Sequence, residues 1–136
     1  MLLQAPVFLK WDPAPIPQKT ETLRQKQSRF THTVAGLLLY ARHQGFEVSL
    51  GDAYRDPRAF GAMGIIKRSL GIGYSQAKSA HKHRLAIDLN LFKNGVFLAA
   101  TEDHTPLGVW WEQQGGVWGG RFKDGNHYSF EHEGIK

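Results

Sequence analysis

Four side chains have the types and spacing of a hydrolytic metal site: His81, Asp88 and His127, with Asp124 three residues before the last of them. The chain has no cysteine, so a bound metal would need histidine and carboxylate ligands. Zinc in hydrolases typically takes three such ligands and leaves one position for water. Two neutral imidazoles and one carboxylate give a zinc site a net charge of about +1, which is still a strong Lewis acid. A separate carboxylate must then accept the proton of that water, and Asp124 fits this role.

The spacing of the first two ligands makes a geometric demand. In one continuous strand His81 and Asp88 would lie on opposite faces, about 23 Å apart at ~3.3 Å per residue. Ligands of one zinc ion must bring their donor atoms to about 2 Å from it. The chain must therefore bend between them, with His81 in a loop. Asp88 is then expected on the inner face of a strand, together with Ala86 and Asn90.

Each of these residues also has an ordinary structural explanation. His81 begins a run of basic residues, 81–84, that could be a solvated loop. Asp124 begins the turn-like sequence 124–126, where an aspartate can accept a hydrogen bond from its own backbone. Asp88 is more unusual, because a carboxylate on a sheet face needs a partner. For each residue taken singly, the ordinary structural role is favoured over a role in metal binding. Taken together, however, the four residues favour one shared metal site.

The elements that would position the site are predicted from periodicity. Apolar residues recur at spacings of three and four residues over residues 23–41. This periodicity predicts an amphipathic helix with Thr20 as N-cap and Gly45 as its end. An alternating strand follows over residues 46–50. Asp56-Pro57 resembles an N-cap followed by proline at the first helical position, so a second helix is expected to start there.

The residue pattern in the second half of the chain predicts a β-sheet. Residues 85–91 alternate, with the apolar side chains at odd positions, and Asn94-Gly95 is a hairpin turn before a return strand at 96–98. Thr105-Pro106 opens a third helix, and a last strand lies around 127–130. We therefore expect an α+β fold, with a small antiparallel sheet packed against about three helices in a single domain, residues 20–136. Residues 1–19, with four of the six prolines, are expected to form an extended arm.

The charge balance favours polyanionic partners. The chain has 17 Lys and Arg against 12 Asp and Glu, a formal net charge of +5, which attracts nucleic acid, acidic lipids or an anionic cell envelope. This charge and the four tryptophans leave open a nucleic-acid-binding domain that stacks bases. The basic residues are scattered, however, and most aromatic residues have core-like spacing. We therefore expect no nucleic-acid partner.

The sequence also indicates whether the protein inserts into a membrane or carries a signal peptide. No apolar stretch approaches the roughly 20 residues that span a bilayer. The first ten residues have no basic leader, and Gln4 and Pro6 interrupt their apolar run, unlike a signal peptide. We therefore expect a cytoplasmic protein without stable membrane insertion, and a monomer by default.

Several short motifs together resemble the zinc peptidases that cut peptidoglycan stem peptides. This family contains D-alanyl-D-alanine carboxypeptidases, vancomycin-resistance D,D-dipeptidases and phage L-alanyl-D-glutamate endopeptidases. Its pattern is Ser-x-His, six residues, Asp, and much later an acidic residue, two residues and His. The resemblance covers roughly residues 46–131 and rests on Ala53-Tyr54-Arg55, Ser79-Ala80-His81, Ala86-Ile87-Asp88, Trp118-Gly119-Gly120 and Asp124-Gly125-Asn126-His127-Tyr128.

The resemblance implies a fold of the hedgehog/D-alanyl-D-alanine peptidase type and a role for each matched residue. The two histidines and Asp88 would bind one zinc ion per chain. Asp124 would be the general base and then the acid that protonates the leaving amine. Arg55 would stabilise the substrate carbonyl as it becomes an oxyanion. Ser79 and Tyr54 would bind substrate.

One position departs from the family. Where the family commonly has glycine three residues after the first histidine, this chain has Arg84. Glycine there would ease a tight bend or a left-handed conformation. Arginine must either take an ordinary conformation or be strained, so we expect the loop to differ or to place a cation near the site. His83 is a weaker competitor for the metal.

The short format and basic charge resemble endolysins of phages or prophages. The expected function is therefore zinc-dependent hydrolysis of peptidoglycan stem peptides by an endolysin with L-alanyl-D-glutamate endopeptidase activity. The alternative within the family is a D-alanyl-D-alanine carboxypeptidase or dipeptidase. Such an enzyme would act on the cell wall once the membrane is permeabilised.

Overall fold

The computed structural model describes residues 11–13, 20–56 and 78–136. These ranges contain two α-helices, five strands and three short 3-10 helices, so the predicted α+β fold with a small antiparallel sheet is confirmed. The helix expected from Asp56-Pro57 onward lies outside the described residues. The elements are α1 (Leu23–His43), β1 (Glu47–Leu50), the 3-10 helix Ala80–His83, β2 (Ala86–Lys93), β3 (Val96–Leu98), the 3-10 helix Thr101–His104, α2 (Thr105–Gln113), β4 (Val117–Trp118), the 3-10 helix Gly119–Phe122 and β5 (His127–Ser129).

Strand β2 is the centre of the sheet, whose order is β1-β2-β5-β4. β1 lies along one edge of β2, and the other edge is shared between two partners. β5 pairs with the first half of β2, from Ala86 to Asp88, whereas β3 pairs with its end. All pairings are antiparallel. The β2–β3 hairpin turns at Asn94 and Gly95, whose φ angles of 50° and 75° fit the predicted two-residue turn.

The alternation of β2 separates a core from an open face. Ile87, Leu89 and Leu91 are almost completely buried, whereas Asp88 and Asn90 on the other face are only partly covered. Trp111 of α2 packs beneath the sheet and donates a hydrogen bond from Nε1 to the Ser129 carbonyl at 2.9 Å. The helices thus cover one side of the sheet, and the polar side of β2 is left available for a site.

Helix α1 begins two residues later than predicted. Its N-cap is Thr22, not Thr20, because only Thr22 is followed three residues later by a side chain that can return the hydrogen bond. The Gln25 backbone N–H donates to Thr22 Oγ1 at 3.2 Å, and the Thr22 N–H donates to Gln25 Oε1 at 2.9 Å. Gly45, with φ of 85°, follows the helix end as predicted.

The described part of the proline-rich arm lies against α1. Trp11 donates from Nε1 to the His32 carbonyl at 2.8 Å, and its ring lies 5.3 Å from that of Trp110. A Cβ on Gly36 would come within 2.4 Å of the Trp11 ring, so the contact needs glycine there. The boundary between arm and catalytic domain remains a prediction. Neither described helix is long and apolar enough to cross a bilayer.

The departure at Arg84 has a specific structural form. Arg84 follows the 3-10 helix with φ of 55° and ψ of 38°, the left-handed conformation that glycine adopts readily. This residue turns the chain from the 3-10 helix into β2. The Arg84 guanidinium lies 4.0 Å from the centroid of the Tyr54 ring, so the arginine packs over that aromatic side chain.

We expect Arg84→Gly to be more stable than Arg84→Ala by about 1 kcal/mol, since a Cβ is disfavoured in this conformation. Both variants lose the contact with Tyr54, so their difference isolates the backbone. Urea unfolding of the two proteins measures it. Equal stabilities, or a more stable alanine variant, would contradict the left-handed conformation.

Candidate metal centre

The side chains of His81, Asp88 and His127 converge on one point. Each offers a ligand atom, and these atoms all lie within 4.8 Å of one another. His81 Nε2 is 3.2 Å and His127 Nδ1 is 3.3 Å from the same oxygen, Oδ1 of Asp88. Both histidines are buried and the aspartate is partly buried. The geometry is that of a three-ligand cluster beside the open face of the sheet.

The fold explains how residues so distant in sequence meet. Asp88 and His127 are directly opposed in the register of β2 and β5. His81 lies in the preceding 3-10 helix, and the left-handed Arg84 reverses the chain between them. The bend that the spacing requires is therefore present, and Asp88 lies on the same face of β2 as Asn90.

A backbone carbonyl sets the orientation of the first histidine. His81 Nδ1 lies 3.0 Å from the Ala53 carbonyl, which can only accept, so Nδ1 carries the proton. In the neutral imidazole Nε2 is then left with its lone pair, and it is Nε2 that faces Asp88. Histidines that bind metals are commonly oriented in this way by a partner on the other nitrogen.

The charges within the cluster reinforce one another. Burial by itself raises the pKa of Asp88, but hydrogen bonding and charge attraction with the His127 and His81 rings outweigh it and hold that pKa well below its usual range. For His81, burial lowers the pKa, but the protonated ring can donate from Nε2 to Asp88 as well as from Nδ1 to the Ala53 carbonyl. These two hydrogen bonds outweigh burial, so the net shift of the His81 pKa is upward. Asp88 is thus an ionised carboxylate between two imidazoles at neutral pH.

This donor set fits zinc. Two imidazole nitrogens and one carboxylate oxygen are the ligands of many catalytic zinc sites. His127 Nε2 is buried without a hydrogen-bond partner among the described residues, so the polar surroundings of this ring lie on the Nδ1 side. His83, the weaker candidate, lies apart from the cluster: its ring is 5.5 Å from that of His132.

Asp124 is held close to the ligand strand by its backbone. Its N–H donates to the Gly119 carbonyl at 2.9 Å, and its own carbonyl accepts from the His127 N–H at 3.1 Å. A Cβ on Gly119 would lie 2.1 Å from the Asp124 carbonyl oxygen, so the turn requires glycine there. Trp118 fixes the same turn by donating from Nε1 to the Gly125 carbonyl at 2.8 Å. The Asp124 side chain is exposed, as a group that exchanges protons with substrate must be.

The chain after β1 runs alongside the cluster. The Asp88 N–H donates to the Asp52 carbonyl at 2.8 Å, and the Arg55 N–H donates to the His81 carbonyl at 3.2 Å. The Arg55 guanidinium is paired with the Asp52 carboxylate at 2.7 Å, and its charge is close enough to oppose protonation of His81. The structure thus places Arg55 beside the candidate metal ligands.

The two predicted substrate-binding residues lie on the same side. Tyr54 is 48% exposed and stacks under Arg84, which leaves part of its ring accessible. Ser79 immediately precedes the 3-10 helix, and its carbonyl accepts from the Lys82 N–H at 3.1 Å. The substrate-binding roles of Tyr54 and Ser79 remain predictions.

Sequence reasoning missed a buried polar pair next to the ligand strand. His104 is 3% exposed, and its Nδ1 lies 2.7 Å from the hydroxyl of Tyr128, which follows His127. Burial lowers the pKa of His104, and the nearby charges of Asp103 and Asp124 only partly offset it. The lowered pKa favours the neutral imidazole, which shares a hydrogen bond with the tyrosine hydroxyl. No local sequence signal marks this pair, because it forms across 24 residues.

The buried His104 predicts a loss of stability in acid. Because its pKa is lowered in the folded state, the unfolded chain takes up a proton first as pH falls below about 6.5. The free energy of unfolding of the wild type should fall more steeply between about pH 7.5 and 5.5 than that of His104→Gln. Urea unfolding with chelator present in both samples measures it. Parallel pH dependences would show that His104 titrates normally.

A family comparison agrees with the geometry. Residues 73–130 match the model of a family described as D-alanyl-D-alanine carboxypeptidase, and that stretch contains the three clustered side chains and Asp124. The resemblance to the peptidoglycan-cleaving zinc peptidases, predicted from the sequence motifs, is confirmed. The chain is a metallopeptidase. No curated protein matches it. The matched family supports peptidoglycan as the substrate class of this peptidase.

Proposed function

We propose that the peptidase is a zinc-dependent endolysin that hydrolyses the L-alanyl-D-glutamate bond of peptidoglycan stem peptides during phage or prophage lysis of a host. The convergence of two imidazoles and a carboxylate within 4.8 Å is the observation that carries the hydrolytic part of this proposal. The formal net charge of +5 supports attraction to an anionic cell envelope. The enzyme would act as a monomer, on the wall, after the membrane is permeabilised.

The chemistry follows from the residues around the cluster. His81, Asp88 and His127 would hold zinc, which when bound lowers the pKa of a water molecule and polarises the scissile carbonyl. Asp124 accepts a proton from the attacking water. Arg55 stabilises the negative charge that forms on the carbonyl oxygen. When the carbon–nitrogen bond breaks, Asp124 returns the proton to the departing amine, which leaves one new carboxylate and one new amine.

Digestion of purified sacculi tests the proposed bond. The zinc-loaded protein should release soluble fragments whose mass and end-group analysis show new N-terminal D-glutamate, and a chelator should prevent their release. Released D-alanine with intact L-alanyl-D-glutamate bonds would instead identify a carboxypeptidase or dipeptidase. No hydrolysis of sacculi by zinc-loaded, folded protein would overturn the proposal as a whole.

A further inference from the structure

The open face of β2 continues beyond the metal cluster to a pair of aromatic rings. Asp88, Asn90 and Phe92 share this face because side chains two residues apart point the same way. Phe97 of β3 is paired with Phe92 in the sheet, and their ring centroids are 5.4 Å apart. Phe97 is 55% exposed and belongs neither to the buried core nor to the metal cluster.

A polar pocket lies between Phe97 and the proposed general base, Asp124. The pocket has a volume of about 220 Å³ and is bordered by Phe97 at one side and by Asp124 at another. Its remaining polar lining comes from Asn90, Thr101, His104, Lys123 and Asn126. The pocket therefore connects Phe97 with Asp124, which lies three residues before the metal ligand His127, and its lining changes from charged to polar to aromatic.

This combination of surfaces fits an amino sugar. The apolar face of a sugar ring packs on an aromatic side chain, while its hydroxyl and N-acetyl groups require amide, hydroxyl and charged partners such as those lining the pocket. In peptidoglycan the stem peptide is joined to an amino sugar through a lactyl group. We propose that Phe97 and the adjoining pocket bind this sugar, so that the enzyme prefers stem peptides attached to glycan.

The distances suit this occupant. Asp88 and Phe92 are four residues apart on one strand, or about 13 Å at ~3.3 Å per residue. From the scissile carbonyl of the first stem residue, one residue and the lactyl group span about 7 Å of extended chain before the sugar begins. The glycan then extends toward the aromatic pair. A bond further down the stem would place the sugar beyond it, so this inference rests on the proposed function.

Phe97 would be a specificity residue rather than a catalytic residue. It does not touch the cluster, and it acts by adding binding energy from a part of the substrate that does not react. Such energy raises the rate only for substrates that carry that part. The expected signature is a loss confined to glycan-linked substrates.

The experiment compares two soluble substrates: a free stem peptide and the same peptide joined to its disaccharide. The wild type should cleave the disaccharide-linked peptide with kcat/KM about tenfold higher. Phe97→Ala should remove this preference and leave kcat/KM on the free peptide unchanged, whereas Phe97→Trp should keep the preference. Val96→Ala is the matched control, since Val96 is 61% exposed on the same strand and points to the other face.

Three results would overturn the inference. The wild type could cleave both substrates equally well, Phe97→Ala could keep the preference, or Phe97→Ala could lose activity equally on both substrates. Any of these, with the free peptide cleaved by the wild type at its L-alanyl-D-glutamate bond, would leave the proposed function standing. Failure of the folded, zinc-loaded wild type to cleave either substrate at that bond would overturn the proposed function and this inference together.

Discussion

Asp124→Asn is expected to lower turnover by about 10²–10⁴-fold, the usual contribution of a positioned general acid–base group, while zinc remains bound. The amide has nearly the size of the carboxylate, and the turn is held through backbone atoms of Asp124 and by Trp118, so the local fold should survive. What is lost is the group that accepts the proton of water and returns it to the amine. Turnover of stem peptide and zinc content of the same preparation measure the two parts.

The control for this experiment is Glu102→Gln, which removes an exposed carboxylate from the neighbouring 3-10 helix without touching the pocket or the metal cluster. Its activity should equal that of the wild type. If zinc content fell together with activity in Asp124→Asn, Asp124 would be a ligand rather than the base. Full activity of Asp124→Asn would mean that another group moves the proton.

Asp88→Asn is expected to abolish both activity and tight zinc binding. The Asp88 carboxylate is the shared partner of both imidazoles and would be the one anionic ligand of the set. Losing a partner of a ligand typically costs 10–100-fold in metal affinity, so losing the ligand itself should cost at least about 100-fold. Competition titration with a zinc-binding dye measures the affinity, and hydrolysis of sacculi measures the activity.

A matched control for Asp88→Asn is Glu47→Gln. Glu47 is the first residue of β1 and is paired with Phe92 of β2, four residues along that strand from Asp88. This substitution also removes one negative charge from the sheet and should leave zinc affinity unchanged. Wild-type zinc affinity in Asp88→Asn would show that the two histidines bind metal without this residue. The proposed ligand set would then be wrong.

The arrangement of the cluster could be anticipated from the sequence because two local patterns constrain it. The apolar alternation of β2 fixes the face on which Asp88 lies, and the distance to His81 requires a bend. The register between β2 and β5, which pairs Asp88 with His127, could not be predicted in the same way, since strand pairing is decided by tertiary packing.

Other features depend on contacts that no local pattern reveals. The Ala53 carbonyl that orients His81 is 28 residues from it and is a backbone group with no side-chain signature. The left-handed conformation of Arg84 runs against the preference of its residue type and is maintained by the packing around it. The start of α1 at Thr22 could have been found locally, because the capping box with Gln25 is visible in the sequence.

The decisive measurement is anomalous diffraction at the zinc edge from crystals of the zinc-loaded protein. We predict a single anomalous peak per chain, about 2 Å from His81 Nε2, His127 Nδ1 and one carboxylate oxygen of Asp88. The Asp124 carboxylate should lie nearby without reaching ligand distance. A peak at another set of side chains, or no peak in crystals of protein that is active in solution, would contradict the three-ligand site.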